Sequence, residues 1–246
     1  MAGLPSSKVN ILNLLNYKDE DVGGPVIEAE IFKKMTKVFN EAQKAVCKVK
    51  SNVDQGTGAF YDIVDHNDGH RFLFMTCNHV LPTNSFDEAS QATLEFEEIE
   101  NMKSIKLDTK HIQYIWTRKL FDATIIEISE ELAKLFQSYG AIFLKVGPVT
   151  AKTGFAMLQY PCGKFGIAHG EIDTVSGCDV FYQIGTAPGS SGSPLLDWNC
   201  IALAMHRSGE EGSTGKKPEL WRKAMALNAT IEAYLKEKAN DPFECV

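Results

Sequence analysis

The chain has 246 residues, of which 44% are apolar and 23% charged, a composition typical of a soluble globular protein. Its formal net charge is −7 at pH 7, and no stripe or block of basic residues departs from that balance. This charge pattern argues against nucleic acid or an anionic membrane as the main partner. No apolar run reaches the length that spans a bilayer, and the first residues lack the basic-then-apolar pattern of a secretory signal.

The six cysteines are scattered and lack the paired spacing of a metal site. They are Cys47, Cys77, Cys162, Cys178, Cys200 and Cys245. Three disulfide bonds are arithmetically possible, but without an export signal we expect reduced thiols in an intracellular, cytoplasmic protein. We expect neither a metal nor a cofactor.

Residues 1–44 are predicted to be an extension that carries an amphipathic helix. Apolar residues recur at helical spacing between residues 26 and 44, for example at Ile31, Met35 and Val38. Such a helix either braces the fold or offers a docking or autoinhibitory surface to a regulatory partner.

After this helix the pattern changes to short runs rich in β-branched and aromatic residues, separated by turns such as Asn67-Asp68-Gly69. The first series of predicted strands comprises residues 46–50, 59–64, 71–76, 93–96, 112–117 and 123–128. The second series comprises residues 142–146, 154–160, 166–174, 180–184, 194–196, 201–206 and 223–227. Further segments are a helix at 130–139, a glycine-rich loop at 209–218 and a closing helix at 230–238. Repeated short strands are typical of β-barrels or a β-sandwich.

Three short segments carry side chains suited to nucleophilic catalysis. Residues 189–194 (GSSGSP) set Ser191 between glycines, residues 76–80 (TCNHV) offer His79 as a base, and Asp122 offers a carboxylate that could orient it. A serine hydroxyl is a poor nucleophile in water and needs an adjacent base to take its proton. The order His, Asp, Ser is one of several in which such triads occur. Each segment alone is weak, because glycine-serine loops and lone histidines are usually structural, but together they predict a serine peptidase.

These segments resemble the histidine, aspartate and nucleophile motifs of the chymotrypsin-like serine proteases. Residues 56–60 (GTGAF) are also similar to the start of the first barrel in bacterial-type members, and residues 159–163 (QYPCG) to their Gly-Tyr-Pro-x-Gly turn. The resemblance covers roughly residues 45–238. It implies a mainly β fold of two six-stranded antiparallel β-barrels, with an N-terminal and a C-terminal helix and the active site in the cleft between the barrels.

The same resemblance implies the domain organisation. A peptidase domain is predicted at residues 45–240, with a first barrel at about 45–128 and a second at about 141–227. The closing helix at 230–238 completes this domain, and residues 241–246 form a tail.

The resemblance also implies a role for each matching residue. Ser191 attacks the scissile carbonyl, His79 takes its proton and later gives it to the leaving amine, and Asp122 holds the imidazole in the useful tautomer. The backbone N–H groups of Gly189 and Ser191 form the oxyanion hole. Glycine at 189 suits that role because the loop must turn its amide into the cleft.

Within that family the chain is most similar to the V8-like glutamyl endopeptidases. His206, fifteen residues after Ser191, and Thr186, five residues before it, match positions that line the primary specificity pocket of that branch. Protonated His206 would pair with a substrate glutamate, whereas neutral His206 would donate a hydrogen bond to glutamine. A buried strand histidine without a pocket role is the alternative.

Neighbouring positions add to this comparison. The resemblance implies that substrate backbone pairs with the strand edge at Arg207, Ser208 and Gly209, where Arg207 is either a nearby positive charge or a solvated side chain. Gly185 occupies the position at which trypsin-like enzymes hold an aspartate, so cleavage after arginine or lysine is not expected. Ser190 replaces the aspartate that receives the new amino terminus in the digestive enzymes, so activation by that route is not expected.

The sequence therefore predicts an intracellular serine endopeptidase that acts on protein or peptide substrates through an acyl-enzyme and cleaves after glutamate or glutamine. One alternative is a non-catalytic binding module with a collapsed oxyanion loop. Another is a latent effector that a partner or an assembly releases.

Overall fold

The computed structural model describes residues 28–65, 69–97, 99, 103–211 and 220–240. Within those residues the chain forms two β-sheets and four α-helices. The helices are α1 (Ala29–Ala42), α2 (Phe86–Gln91), α3 (Glu130–Ser138) and α4 (Leu227–Lys238). None of the helices in this part of the chain is long and apolar enough to cross a membrane.

The first sheet is an antiparallel, curled half-barrel. Its strands are β1 (Val46–Lys50), β2 (Gln55–Asp65), β3 (Gly69–Thr76), β4 (Thr93–Glu95), β5 (Ser104–Lys106), β6 (Ile112–Arg118) and β7 (Ala123–Ile128). They lie in the order β5-β4-β1-β2-β3-β7-β6. Among the described residues no pairing joins the edge strands β5 and β6, so this sheet stays open.

The second sheet closes into a barrel. Its strands are β8 (Lys145–Val146), β9 (Gly154–Gln159), β10 (Gly166–Ser176), β11 (Asp179–Tyr182), β12 (Pro194–Leu196), β13 (Ile201–Glu211) and β14 (Leu220–Ala226). Because β12 pairs with both β9 and β13, the six strands β12-β9-β10-β11-β14-β13 form a closed ring, and β8 adds to β13 in parallel. The predicted mainly β fold with helices near both ends is confirmed, with one closed six-stranded barrel and one seven-stranded open curl.

Aromatic side chains fill the core of the first sheet. Phe60 of β2 is fully buried, and its ring centroid lies 5.3 Å from that of Phe74 and 5.1 Å from that of Phe136 in α3. α3 begins after Ser129, whose hydroxyl accepts the N–H of Leu132 and so satisfies one of the free amides of the first turn. Full burial of one such aromatic side chain contributes about 1.5–3 kcal/mol, which fastens α3 to the sheet.

The N-terminal helix packs on the closed barrel. α1 lies within the predicted span and buries Met35, Val38 and Ala42. Phe39 on the same helix has its ring centroid 5.6 Å from that of Phe165, just before β10. These contacts are those of a structural brace. Residues 1–27, which complete the predicted extension, lie outside the described residues.

The C-terminal helix is tied to the first sheet through a buried carboxylate. Glu127 of β7 accepts hydrogen bonds from Lys238 at 2.6 Å, from Arg71 at 2.9 Å and from the hydroxyl of Tyr234. Burial raises the pKa of Glu127, but the hydrogen bonds from Lys238 and Tyr234 outweigh it, and the pKa is lowered. α4 begins at Leu227, three residues before the predicted start, so the preceding strand ends earlier than expected.

The main difference from the predicted elements is the hairpin of β13 and β14. β13 extends into the predicted loop as far as Glu211, where it pairs with Leu220, and β14 begins at Leu220, before the predicted start at residue 223. Residues 212–219 of that loop, residues 66–68 of the predicted turn and the tail at 241–246 lie outside the described residues.

Candidate active site

His79 and Asp122 meet because the strands that carry them are neighbours. β3 pairs with β7 with Thr76 opposite Thr124, so the residues just after β3 lie beside those just before β7. Nδ1 of His79 lies 2.8 Å from Oδ2 of Asp122, and the backbone N–H of His79 donates to Oδ1 at 3.0 Å. One carboxylate therefore fixes both the ring and the backbone of the histidine.

The environment of His79 favours its charged form. The hydrogen bond to Asp122 raises the pKa of His79, burial opposes that rise, and the negative charge of Asp54 adds to it. The side chain of His79 is 42% exposed, so solvent or a substrate can reach the ring. With the Nδ1 proton donated to the carboxylate, Nε2 is the atom left to accept a proton.

The loop that carries Ser191 (residues 187–193, the serine loop) is anchored to the first sheet through Thr57 of β2. The backbone N–H of Thr57 donates to the carbonyl oxygen of Ser191 at 2.7 Å, and its hydroxyl donates to that of Gly189 at 2.8 Å. The same hydroxyl accepts the N–H of Tyr160 at 3.1 Å. Since Thr57 is fully buried, these bonds hold the serine loop against β2 away from solvent.

Two glycines of the serine loop are required by its shape. Gly189 has φ +96° and Gly192 has φ +91°, in the left-handed region that side chains disfavour. A Cβ at 192 would overlap the carbonyl oxygen of Thr57, and a Cβ at 189 would overlap that of Tyr160. Glycine at 192 allows the loop to approach the first sheet this closely, and glycine at 189 allows it to pack against Tyr160, just after β9.

The predicted oxyanion donors, the amides of Gly189 and Ser191, have no hydrogen-bond acceptor among the described residues. The carbonyl of Pro188 accepts the N–H of Cys162 at 2.7 Å, and because the peptide bond is trans, the N–H of Gly189 points to the opposite side. In the described part of the chain neither the Gly189 nor the Ser191 amide donates a hydrogen bond.

The hydroxyl of Ser191 is turned towards the second barrel. It donates to the carbonyl oxygen of Arg207 at 3.3 Å, and within the described residues no hydrogen bond joins it to His79. The serine loop and the residue after His79 are nevertheless close to each other. A Cβ added to Gly56 would lie 2.8 Å from the carbonyl oxygen of Ser191 and 2.6 Å from the side chain of Val80. Ser191 and the residue after His79 thus border the same glycine.

His206 of β13 is buried beside Tyr182 of β11. Only 3% of His206 is exposed, and its Nδ1 lies 2.6 Å from the tyrosine hydroxyl. Burial, together with the positive charges of Arg222 and His79, lowers the pKa of His206 to about 3. The imidazole is therefore neutral at physiological pH. If the tyrosine hydroxyl donates to Nδ1, the single proton of the neutral imidazole lies on Nε2.

The other predicted substrate-binding residues lie on β13 and on the segment before β12. Thr186 is partly buried in the segment between β11 and β12, and Ser208 is exposed on β13. Gly209 pairs with Arg222 of β14. Their proposed contacts with a substrate stay predictions.

Arg207 links the two sheets. It is the extra residue of a β-bulge in β13 and has no partner in β14. Its Nη2 donates to Asp179 at 2.7 Å, and its Nη1 donates to the carbonyl oxygen of Phe121 at 3.4 Å, one residue before Asp122. With 12% of its side chain exposed, this is not a solvated arginine. The guanidinium joins the closed barrel to the segment that carries Asp122.

Comparison with known proteins gives matches among solved structures. No family model and no curated protein sequence matches the chain. The inactive form of Rv3671c from M. tuberculosis H37Rv has a TM-score of 0.59 at 17% identity, over 89% of this chain and 98% of that one. A serine endoprotease from Yersinia pestis has a TM-score of 0.59 at 12% identity, over 86% and 67% respectively. A Glu endopeptidase has a TM-score of 0.55 at 14% identity, over 82% and 93%.

The chain has the chymotrypsin-like fold. The structures that share it are serine proteases, which supports a protease fold for this chain as well. At identities of 12% to 17% the likeness concerns the fold and does not single out the V8-like branch.

Several groups of this candidate site could not be recognised from the sequence. Tyr182 belongs to an ordinary strand pattern, and nothing local marks it as the partner of His206. Thr57 lies in the GTGAF stretch, but its two bonds to the serine loop cross between the sheets. The same holds for Cys162, whose backbone N–H fixes the peptide before Gly189.

Proposed function

We propose that the protein is a serine endopeptidase that cleaves peptide bonds through an acyl-enzyme. The observation that carries this proposal is the pair of His79 and Asp122, in which one carboxylate accepts hydrogen bonds from both the ring and the backbone of the histidine. A base held in this way is what a serine nucleophile requires. Ser191 lies on a loop anchored to the same sheet, and the proposal requires its hydroxyl to turn from Arg207 towards Nε2 of His79.

The steps follow from these groups. Ser191 Oγ attacks the substrate carbonyl carbon while Nε2 of His79 takes the hydroxyl proton, and Asp122 stabilises the resulting imidazolium. The N–H groups of Gly189 and Ser191 stabilise the oxyanion, each contributing about 3 kcal/mol in the transition state. His79 then protonates the leaving amine, and water releases the acyl group by the same base catalysis.

For the residue before the cut, the proposal favours glutamine over glutamate. Neutral His206 with its proton on Nε2 donates to the carbonyl oxygen of an amide. A carboxylate would need a positive partner to offset its loss of hydration, and the low pKa of His206 keeps that imidazole uncharged. Thr186 is proposed as the second polar group that faces the substrate side chain.

A peptide library randomised at the residue before the cut tests both levels of the proposal. We expect cleavage by the wild type and none by Ser191→Ala, with glutamine enriched and the enrichment lost in His206→Ala. Ser193→Ala is the matched control, because Ser193 is buried in the same loop and its hydroxyl has no hydrogen-bond partner within the described ranges. Enrichment of phenylalanine, leucine or arginine contradicts the specificity. Equal cleavage by Ser191→Ala contradicts the mechanism.

A latent enzyme that a partner activates is the second candidate. It is favoured by the bond from Ser191 Oγ to the carbonyl oxygen of Arg207, which turns the hydroxyl away from His79. In that case the wild type leaves the library intact, and cleavage begins only when a partner is added.

We further propose an intracellular, cytoplasmic setting on the basis of the sequence. The five cysteines that the structure describes are free thiols, which is compatible with a reducing compartment. The proposed partners are protein or peptide substrates.

A further inference from the structure

A thiol lies beneath the pair of His79 and Asp122. Cys77 precedes His79 by two residues and is fully buried. One donor atom from each of Cys77, His79 and Asp122 lies within 4.8 Å of the other two. The cysteine is buried, the aspartate partly exposed and the histidine exposed, so the three donors lead from the surface into the protein. The sulfur also donates to the carbonyl oxygen of His206 at 3.2 Å.

We propose that Cys77, His79 and Asp122 form a binding site for a soft divalent cation, Zn²⁺ or its spectroscopic substitute Cd²⁺, and that the bound ion inhibits the enzyme reversibly. Sulfur, imidazole nitrogen and carboxylate oxygen are the donors that zinc takes in proteins. Zinc bond lengths of about 2.0–2.3 Å place tetrahedral donors about 3.4–3.6 Å apart, so the cluster reaches this geometry by adjustments of about 1 Å. The fourth position is left to water.

Charge balance favours the ion at this place. Binding replaces the S–H proton of Cys77 with the metal, and that proton leaves to solvent. A bare thiolate would meet the negative charge of Asp122 in a buried position, which is unfavourable. A dication neutralises both negative charges, so the site suits a divalent ion better than a monovalent one.

Inhibition follows from the tautomer of His79. Nδ1 faces Asp122 and becomes the metal ligand, so the single proton of the neutral imidazole moves to Nε2. Nε2 is the atom that must accept the proton of Ser191 under the proposed function. A metal-bound His79 therefore cannot act as the base, although substrate can still bind. This consequence rests on the proposed function, whereas the binding of the ion does not.

Titration of the full chain with Cd²⁺ tests the site without relying on activity. We expect the ultraviolet charge-transfer band of a cadmium thiolate to appear with one equivalent of metal and to be lost in Cys77→Ser, which keeps the volume of the side chain. Cys47→Ala is the matched control, because Cys47 is equally buried in β1 and should leave the band in place. Circular dichroism establishes that both variants are folded.

Hydrolysis of a peptide substrate in the presence of Zn²⁺ provides the second measurement. We expect the wild type and Cys47→Ala to lose at least tenfold in rate and to recover with a chelator, and Cys77→Ser to show less than a twofold response to the metal. A band that persists unchanged in Cys77→Ser, or no band in the wild type, overturns the site. If the protein shows a Cys77-dependent band but no peptidase activity, the metal site is supported and the proposed function is contradicted.

Discussion

His79 and His206 are two histidines of the candidate site with opposite ionisation behaviour. The first is partly exposed and bonded to Asp122, which raises its pKa. The second is buried beside Tyr182, and its pKa falls to about 3. The residue type is the same, so the difference comes from the surroundings: a carboxylate partner stabilises the imidazolium, whereas burial without a negative partner destabilises it.

The raised pKa of His79 determines the pH dependence that we expect. Only the neutral imidazole accepts the serine proton, so kcat/KM should fall as the pH drops through the His79 pKa, at a pH above that of an ordinary histidine. The pair of His79 and Asp122 also stabilises the fold, and this contribution depends on pH in the opposite direction. It is full below the unfolded-state pKa and is lost as the pH rises through the folded-state pKa. A profile of kcat/KM against pH for the wild type and Asp122→Asn checks this.

For Asp122→Asn we expect a loss of about 10⁴-fold in kcat, because the amide favours the wrong tautomer of His79. The acid limb of the profile should also move to lower pH, since the carboxylate that raises the His79 pKa is gone. An unchanged acid limb contradicts the assignment of His79 as the base.

Replacement of Tyr182 by phenylalanine should weaken the preference for glutamine. The change removes the hydroxyl that holds Nδ1 of His206, so the ring loses the orientation that presents Nε2–H to the substrate. We expect the ratio of kcat/KM for a glutamine peptide to kcat/KM for its alanine analogue to fall by about tenfold. This fall corresponds to the loss of one hydrogen bond between neutral groups, about 1.4 kcal/mol. Tyr139→Phe at an exposed tyrosine is the control and should leave the ratio unchanged.

At the scale of elements, the strands are what the sequence predicts best. Runs of β-branched and aromatic residues place β1, β3 and β7 close to where they are observed, because such side chains favour a strand. The bulge at Arg207 and the extended hairpin of β13 and β14 could not be predicted in the same way. They depend on how two strands pair, and the residue pattern of one strand does not show which residues of another strand lie opposite it.

The serine loop is the element whose shape depends most on glycine. Gly192→Ala would place a Cβ on the carbonyl oxygen of Thr57 and force a side chain into the left-handed region. We expect a loss of about 1–3 kcal/mol in the free energy of unfolding, and a loss of activity greater than the loss of folded protein. Gly185→Ala is the control, since a Cβ there meets no atom within 4 Å. Urea denaturation with activity assays on both variants checks this, and equal behaviour of the two variants contradicts it.

At the scale of the molecule, the candidate site lies where two sheets meet, and this limits what the sequence could predict. The segments with His79, Asp122 and Ser191 are recognisable because each has a local motif. The contacts that hold the sheets together are not, since Thr57 and Arg207 find their partners across the junction. The guanidinium of Arg207 is bonded within the protein, and a position of this residue near the substrate stays a prediction.

Arg207→Met tests whether this link positions Asp122. Removal of the guanidinium frees the Phe121 carbonyl and one oxygen of Asp179, so we expect kcat to fall by about tenfold or more with little change in KM. Lys223→Met is the control, because Lys223 binds the same Asp179 at 3.0 Å from the opposite strand. If kcat falls equally in both variants, the cause is the loss of positive charge around Asp179. The link from Arg207 to the Asp122 segment is then not what positions Asp122.

The most direct test of the central claim, that His79 activates the hydroxyl of Ser191, is intact-mass spectrometry after exposure to a fluorophosphonate. We predict one adduct on the wild type, mapped to Ser191 by peptide analysis, absent from Ser191→Ala and strongly slowed in His79→Ala. Ser193→Ala should be labelled like the wild type. An adduct on another residue, or equal labelling of Ser191 with and without the imidazole, contradicts the account.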